Sequence, residues 1–325
     1  MMIHVTNGTT EGSILSTDLT PFEWNVFNLY LSISQFGVAM FVMISGALFL
    51  SRDIPIRRIY SRNIFRMFTA FVFWSFIFAF RGYMKNGDAL KALSAFVHGE
   101  PHMWFMFMIT GLYMMIPFLK KITESETLTK YFLVLSLVFA FIVPSTAKIV
   151  GIFSEHYGDA VKQLSGRLSI GFVTGFSGYF VLGYVLSNAE ISPKAERVIY
   201  LAGIVSTIAA IFLTSWASRF IGKTSFAFFG SLTVNVLLQT TALFVFFVKH
   251  CERESKIIRK LSQYAFGAYL VHWKVQPLLY NRLGITQTMF HPLIAVPFTT
   301  AMVFLVSFAI SAVVNHIPVL KKYVV

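Results

Sequence analysis

Residues 26–66 read VFNLYLSISQFGVAMFVMISGALFLSRDIPIRRIYSRNIFR. The run 26–50 carries no charge, and 51–66 then holds Arg52, Arg57, Arg58, Arg62 and Arg66. About 20 apolar residues are enough to cross the hydrocarbon of a bilayer as a helix. A cation cluster directly after such a run marks its cytoplasmic end. This stretch therefore reads as a membrane span with its inner end labelled.

Further runs of the same kind follow at about 67–84, 102–119, 130–147, 168–187, 198–216, 229–248, 263–281 and 292–315, nine in all with the first. The connections between them are too short to hold a soluble domain, so residues 1–325 read as one all-α, polytopic membrane domain. Composition agrees. The chain is 56% hydrophobic and 13% charged, has 36 Phe, and its mean hydropathy is +0.69; soluble domains are about a quarter charged. A disordered chain, a collagen and a polar nucleic-acid-binding domain are excluded, and one cysteine, Cys251, forms no internal disulfide.

The net charge of +13 is explained by topology. Seventeen of the 27 Lys and Arg fall in 51–66, 117–130, 188–197, 249–262 (Arg253 among them) and the tail. These segments alternate along the chain, which puts them and the C-terminus in the cytoplasm and residues 6–25, with Glu11, Asp18 and Glu23, outside. Such an exterior start has no signal peptide to explain it. Met1-Met2-Ile3-His4-Val5 reads as the last residues of a tenth helix whose upstream part is missing, or as a short exported tail.

No Asp or Glu lies within a predicted span, which weakens an ion-coupled transport reading. The polar groups inside are Asn28 and Gln35, Asn235 and Gln239 one turn apart, and His272 with Lys274 and Gln276 beyond it. For the amides, interhelical hydrogen bonding is sufficient reason; His272 is either a neutral structural histidine or a functional one. Arg58, Arg62 and Arg66, spaced i, i+4, i+8 with Arg57 beside them, form one helical stripe. Such a row suits a polyphosphate, and equally serves as a topology signal touching anionic lipid. His98 and His102 have zinc-pair spacing near Trp104, but the sequence offers no third ligand, so no metal is expected.

Five segments, in chain order, resemble the membrane-bound acyltransferase family 3. They are Gly37 to Leu48 with Ser45-Gly46; the basic segment from Arg58 into the aromatic run ending at Trp74; His102-Met-Trp104-Phe105 continuing through Tyr113 to Leu119; Tyr179 to Tyr184; and Ser262 to His272 with Phe266, Gly267 and Tyr269. The likeness is greatest to the branch that O-acetylates surface polysaccharides, of the enterobacterial common antigen kind. That family has ten helices, the first carrying an Arg upstream of an essential His. Met2-Ile3-His4 is similar to the end of that run, so the resemblance implies His4 as the catalytic residue, with the matching Arg before residue 1. An Arg-x-x-Arg pair of some members falls here on Asn63 and Arg66, with Arg62 adjacent.

The resemblance implies an acyltransferase of the bacterial cytoplasmic (inner) membrane, with no bound cofactor. It would pass an acetyl group from acetyl-CoA to a hydroxyl of a sugar or lipid-linked glycan. Arg57, Arg58, Arg62 and Arg66 would hold the coenzyme A phosphates. His102, Trp104, Asn235, Gln239 and His272 would line the path or the acceptor site. Its partners would be acyl-CoA, the glycan acceptor and membrane lipid, with no nucleic acid. The alternative is a non-enzymatic permease or flippase for a glycan or anionic substrate, which the ordered motifs do not explain.

Overall fold

A computed structural model describes residues 1–7, 15, 19–251 and 255–324; Glu11, Asp18 and Arg253 lie outside the described residues. Every element assigned among these residues is helical. The chain opens with α1 (Met2–Asn7), α2 (Pro21–Ser34), α3 (Gly37–Leu50) and α4 (Ile56–Arg58). A π-helical stretch (Ile59–Ile64) leads into α5 (Phe65–Asn86), then α6 (Ala89–His98) and, after a 3-10 turn (Pro101–Met103), α7 (Trp104–Thr123). Next come α8 (Glu126–Ser136), a second π-helical stretch (Leu137–Ile142), α9 (Val143–Phe153), α10 (Glu155–Gly166) and α11 (Ser177–Asn188). The chain ends with α12 (Pro193–Ile221), α13 (Val234–His250), α14 (Lys256–Leu283), α15 (Pro292–Asn315) and α16 (Pro318–Tyr323).

Among the described residues, six continuous helical segments are long and apolar enough to cross a membrane: Pro21–Leu50, Ile56–Asn86, Ala89–Thr123, Glu126–Phe153, Pro193–Ile221 and Pro292–Asn315. α13, of 17 residues, and α14, of 28 with a more polar composition, complete the bundle. The helix starts are written in the sequence. Thr20 and Glu23 form a reciprocal capping box, and Ser125, Ser192 and Ser255 each accept a backbone N–H of the first turn.

The span expected at 168–187 is the main departure. Residues 167–176 are irregular, and only Ser177–Asn188 is helical. Gly171 and Gly175 remove helix propensity here, and Ser169 takes a left-handed φ of 52°. A 12-residue helix is about 18 Å long, short of the ~30 Å of hydrocarbon. Mean hydropathy hid this break, because glycine reads as neutral.

α11 compensates by packing backbone to backbone against α3. A Cβ placed on Gly46 would lie 1.8 Å from the Phe180 carbonyl oxygen, and one on Gly183 would lie 2.1 Å from that of Met43. Small residues at a helix crossing are the means of association where water supplies no driving force. Around this crossing lies one apolar core, with Val42, Met43, Leu112, Phe141, Tyr179 and Phe180. A second core joins α1, α5, α7, α14 and α15 through Val5, Trp74, Met103, Leu270, Val275 and Val303. Large apolar side chains such as Phe68, Phe76, Phe118, Phe212 and Leu305 stand exposed, as the lipid-facing surface of such a bundle requires.

The Arg-rich segment 51–66 lies at one end of the bundle, with the connections 124–125 and 189–192 and with Cys251 and Ser255. Residues 87–100, 154–176, 222–233 and 284–291 lie at the other.

Candidate active site

The site forms where α14 meets α1 and the start of α7. Gly99, with φ 68°, ends α6 and turns the chain sharply; a Cβ there would press on Phe71. Pro101 then opens the 3-10 turn that carries His102 into the interior, where it is 3% exposed. The hydroxyl of Tyr269 donates to the His102 carbonyl, and His102 Nε2 lies 3.2 Å from the Leu270 carbonyl oxygen. One turn on, His272 Nδ1 bonds the Tyr269 carbonyl and is 2% exposed.

Three imidazoles thus meet. The ring centroids of His4 and His272 are 5.1 Å apart, and those of His102 and His272 5.3 Å. Trp273 closes the group, stacked on His102 at 5.4 Å and edge-on to His4 at 5.2 Å. Gln276 donates to the His4 carbonyl at 3.1 Å and to the Tyr280 hydroxyl at 2.8 Å, holding α1 against α14.

The hydrogen bonds fix the tautomers. A carbonyl oxygen only accepts, so the nitrogen facing it carries the proton. In the neutral ring the other nitrogen is then a bare lone pair. For His272 that is Nε2, and for His102 it is Nδ1; both are buried with no hydrogen-bond partner among the described residues, as is Gln276 Oε1. Buried acceptors are costly to leave unmatched, and their concentration in one cluster is what a site for a donor-bearing ligand looks like.

One stripe of α14 connects this cluster to the basic end. The Arg66 guanidinium lies 5.6 Å over the Phe266 ring. Phe266 stacks on Tyr269 at 6.4 Å, and Tyr269 contacts His272 at 5.9 Å and His102 at 5.4 Å. Phe266 to His272 spans about 9 Å of helix axis. Arg66 is half-buried and faces Tyr113, whose hydroxyl bonds Ser45. Arg57, Arg58 and Arg62 are exposed at the mouth of this path. The π-helical stretch carries Arg62 and alters the rotation between Arg58 and Arg66 from that of a plain α-helix. The loop before it is pinned by Lys120, which bonds the Arg52 carbonyl at 2.8 Å and the Asp53 carboxylate. The hydrogen bond and charge of Lys120 hold the Asp53 carboxyl below the usual carboxylate range.

Other expected site residues stand apart. Trp104 is 46% exposed and packs on Phe105 and Phe176, away from the three imidazoles. Asn235 donates to the Phe228 carbonyl at 2.9 Å and ties α13 to the loop before it, and Gln239 donates to the Ser32 carbonyl at 3.2 Å and ties α13 to α2. His98 is exposed, with its ring on the Ser94 carbonyl, while His102 is buried. Sequence reasoning passed over Tyr269, Trp273 and Gln276 as site residues. Their signal was spacing: all three lie within a turn or so of His272.

Comparison with known families decides the assignment. The model of acyltransferase family 3, described as an acyltransferase domain, matches residues 1–312. The chain belongs to this family. It is therefore a membrane acyltransferase of all-α, polytopic architecture. The five segments named from the sequence all lie within the matched region. No curated protein and no solved structure gives a match.

Proposed function

We propose that the protein transfers an acetyl group from acetyl-CoA, bound from the cytoplasm at the Arg-rich end, to a hydroxyl of a surface polysaccharide or lipid-linked glycan. The bundle would sit in the bacterial inner membrane with its C-terminus cytoplasmic, and the histidine cluster would serve the outer half. The observation that carries this reading is the continuous stripe from Arg66 through Phe266 and Tyr269 to the three imidazoles. Family membership favours it over a flippase.

Arg57, Arg58, Arg62 and Arg66 receive the coenzyme A phosphates through charge-assisted, bidentate bonds. The pantetheine arm then follows the α14 stripe, which brings the thioester to the cluster. There His4 takes the proton from the acceptor hydroxyl as its oxygen attacks the thioester carbonyl. The new C–O bond forms, the C–S bond breaks, and the proton ends on the departing thiolate. His4 serves equally as transient acyl carrier: its nitrogen forms a C–N bond as the C–S bond breaks and the ring N–H proton passes to the thiolate, and the acceptor oxygen then forms the C–O bond as the C–N bond breaks and the hydroxyl proton returns to the imidazole. The bare nitrogens of His272 and His102 supply further acceptors for the hydroxyl proton.

The test is acetyl released by mild base from surface polysaccharide of cells carrying parent or His4→Ala protein. Positioned acid–base catalysis contributes about 10²–10⁴-fold, so His4→Ala should lose most transfer at equal membrane abundance. Transfer equal to the parent's would remove His4 from the chemistry.

A further inference from the structure

α10 is amphipathic in the opposite sense to a helix on a water-soluble protein. Tyr157 and Leu164 are 65% and 66% exposed, with Phe153 and Leu168 exposed beside them. The opposite face carries Glu155, Asp159, Lys162 and Ser165, and these line a cavity of about 900 Å³ between α9, α10 and residues 165–174. The hairpin that makes its floor is tight: a Cβ on Gly158 would lie 2.8 Å from the Ala147 carbonyl oxygen. Lys148, on the α9 wall, donates to the Phe229 carbonyl at 2.6 Å and so ties the cavity to the loop after α12. The far wall runs toward Phe176, whose ring contacts Trp104 at 5.8 Å, two residues past His102.

We infer that this cavity binds the neutral saccharide headgroup of a membrane-anchored amphiphile. As the acceptor site of the transfer it rests on the function proposed above; as a saccharide site it stands alone. Its lining carries both signs, Lys148 and Lys162 with Asp159 and with Glu155, which also pairs with Lys223 at 3.8 Å, together with the hydroxyls of Ser169 and Thr174. An anion meets the carboxylates there and a cation the lysines. A sugar hydroxyl, which donates and accepts at once, matches both. The volume falls within the ordinary range of small-ligand sites, ~300–1,000 Å³. The apolar outer face of α10 seats that helix at the lipid boundary. The cavity therefore opens at headgroup depth, and an amphiphile reaches it sideways while its chain stays in the bilayer.

The experiment uses the protein extracted into nanodiscs with a maleic-acid copolymer, and a photoreactive dodecyl maltoside as probe. Cross-links are mapped by mass spectrometry. They are expected in peptides covering 143–174, and to fall when free maltose is added in excess. Gly166 lines the cavity, and a Cβ there meets nothing within 4 Å, so Gly166→Trp fills the space without pressing on the backbone. It should cut labelling about tenfold or more, as should the independent double variant Asp159→Ala/Lys162→Ala. Acetyl-CoA binding should be unchanged in both. Equal labelling of the parent and both variants would overturn the site. So would equal labelling by the dodecyl phosphocholine analogue, which would make the cavity a general lipid cleft. Saccharide labelling in a protein that transfers no acetyl group would sink the proposed function and leave this site standing.

Discussion

Gly46→Ala is the most informative single change in the scaffold. The added Cβ would sit 1.8 Å from the Phe180 carbonyl oxygen, 2.6 Å from its carbon and 2.9 Å from its Cα. Ordinary contact begins near 3.4 Å, so α3 and α11 must part by about 1.6 Å. No side chain can swing aside, because every obstructing atom is helical backbone. A gap of 0.5–1 Å already forfeits a quarter to a half of a dispersion contact, and this crossing carries Met43, Tyr179 and Phe180. Overpacking of a well-filled core costs about 1–3 kcal/mol, and a backbone clash belongs at the top of that range. We expect about 3 kcal/mol for Gly46→Ala and a similar loss for Gly183→Ala. The double variant should cost less than the sum, since helices already parted by one methyl accept the second more readily. Unfolding by steric trapping in bicelles would measure it. Gly82→Ala and Gly111→Ala are the controls: a Cβ there meets nothing within 4 Å, and a helical Gly→Ala change should be neutral or stabilising by up to about 1 kcal/mol. If Gly46→Ala matches these controls, the crossing is not the close contact described here.

Other expectations follow from the site. His272→Asn keeps a donor for the Tyr269 carbonyl and removes the bare Nε2, so acetyl transfer should fall about 10²-fold with thermal stability retained; unchanged transfer would exclude His272 from the reaction. Arg66→Ala should weaken acetyl-CoA binding by about 1.5–3 kcal/mol, and Arg66→Lys should restore it only in part because an ammonium has no bidentate fork; equal affinity, measured by calorimetry in nanodiscs, would return the cluster to a topology signal. In a Cys251→Ala background, a cysteine at exposed Tyr60 should resist an impermeant maleimide added outside intact cells, while one at exposed Lys91 reacts; the reverse pattern inverts the bundle.

Bilayer thickness made most of the fold legible. Eight of the nine expected apolar stretches coincide with helices, because apolar length alone announces them. The ninth failed where Gly171, Gly175 and the left-handed Ser169 interrupt the helix within an apolar average. The chemistry was legible residue by residue and not as an assembly. His272 stood out as a polar group within a span, His4 through the family resemblance, and His102 through its spacing from His98 and the motif it opens. That Tyr269 would bond the carbonyl of His102, 167 positions away, depends on how α7 and α14 cross, and no local pattern encodes it. The amides of Asn235 and Gln239 looked equally noteworthy in sequence, and only the carbonyl partners at 2.9 and 3.2 Å distinguish a structural tie from a lone pair left open.

α14 carries the polar stripe, and the rest of the bundle is arranged to make that tolerable. A helix bearing His272, Lys274 and Gln276 cannot face lipid, where polar groups without partners are expensive. Gln276 is fully buried, and Lys274 is matched by Glu100 and the Phe78 ring. α1 covers the stripe through the Gln276 amide, and the start of α7 covers it through the Tyr269 hydroxyl. At the other end Arg66 of α5 covers Phe266. What these ties leave open is a small set of buried acceptors, His102 Nδ1, His272 Nε2 and Gln276 Oε1. A bundle stabilised only by packing would gain by replacing them with apolar groups of the same shape. Their presence beside one another, on the helix that also reaches the basic end, is the physical support for the proposed site of transfer.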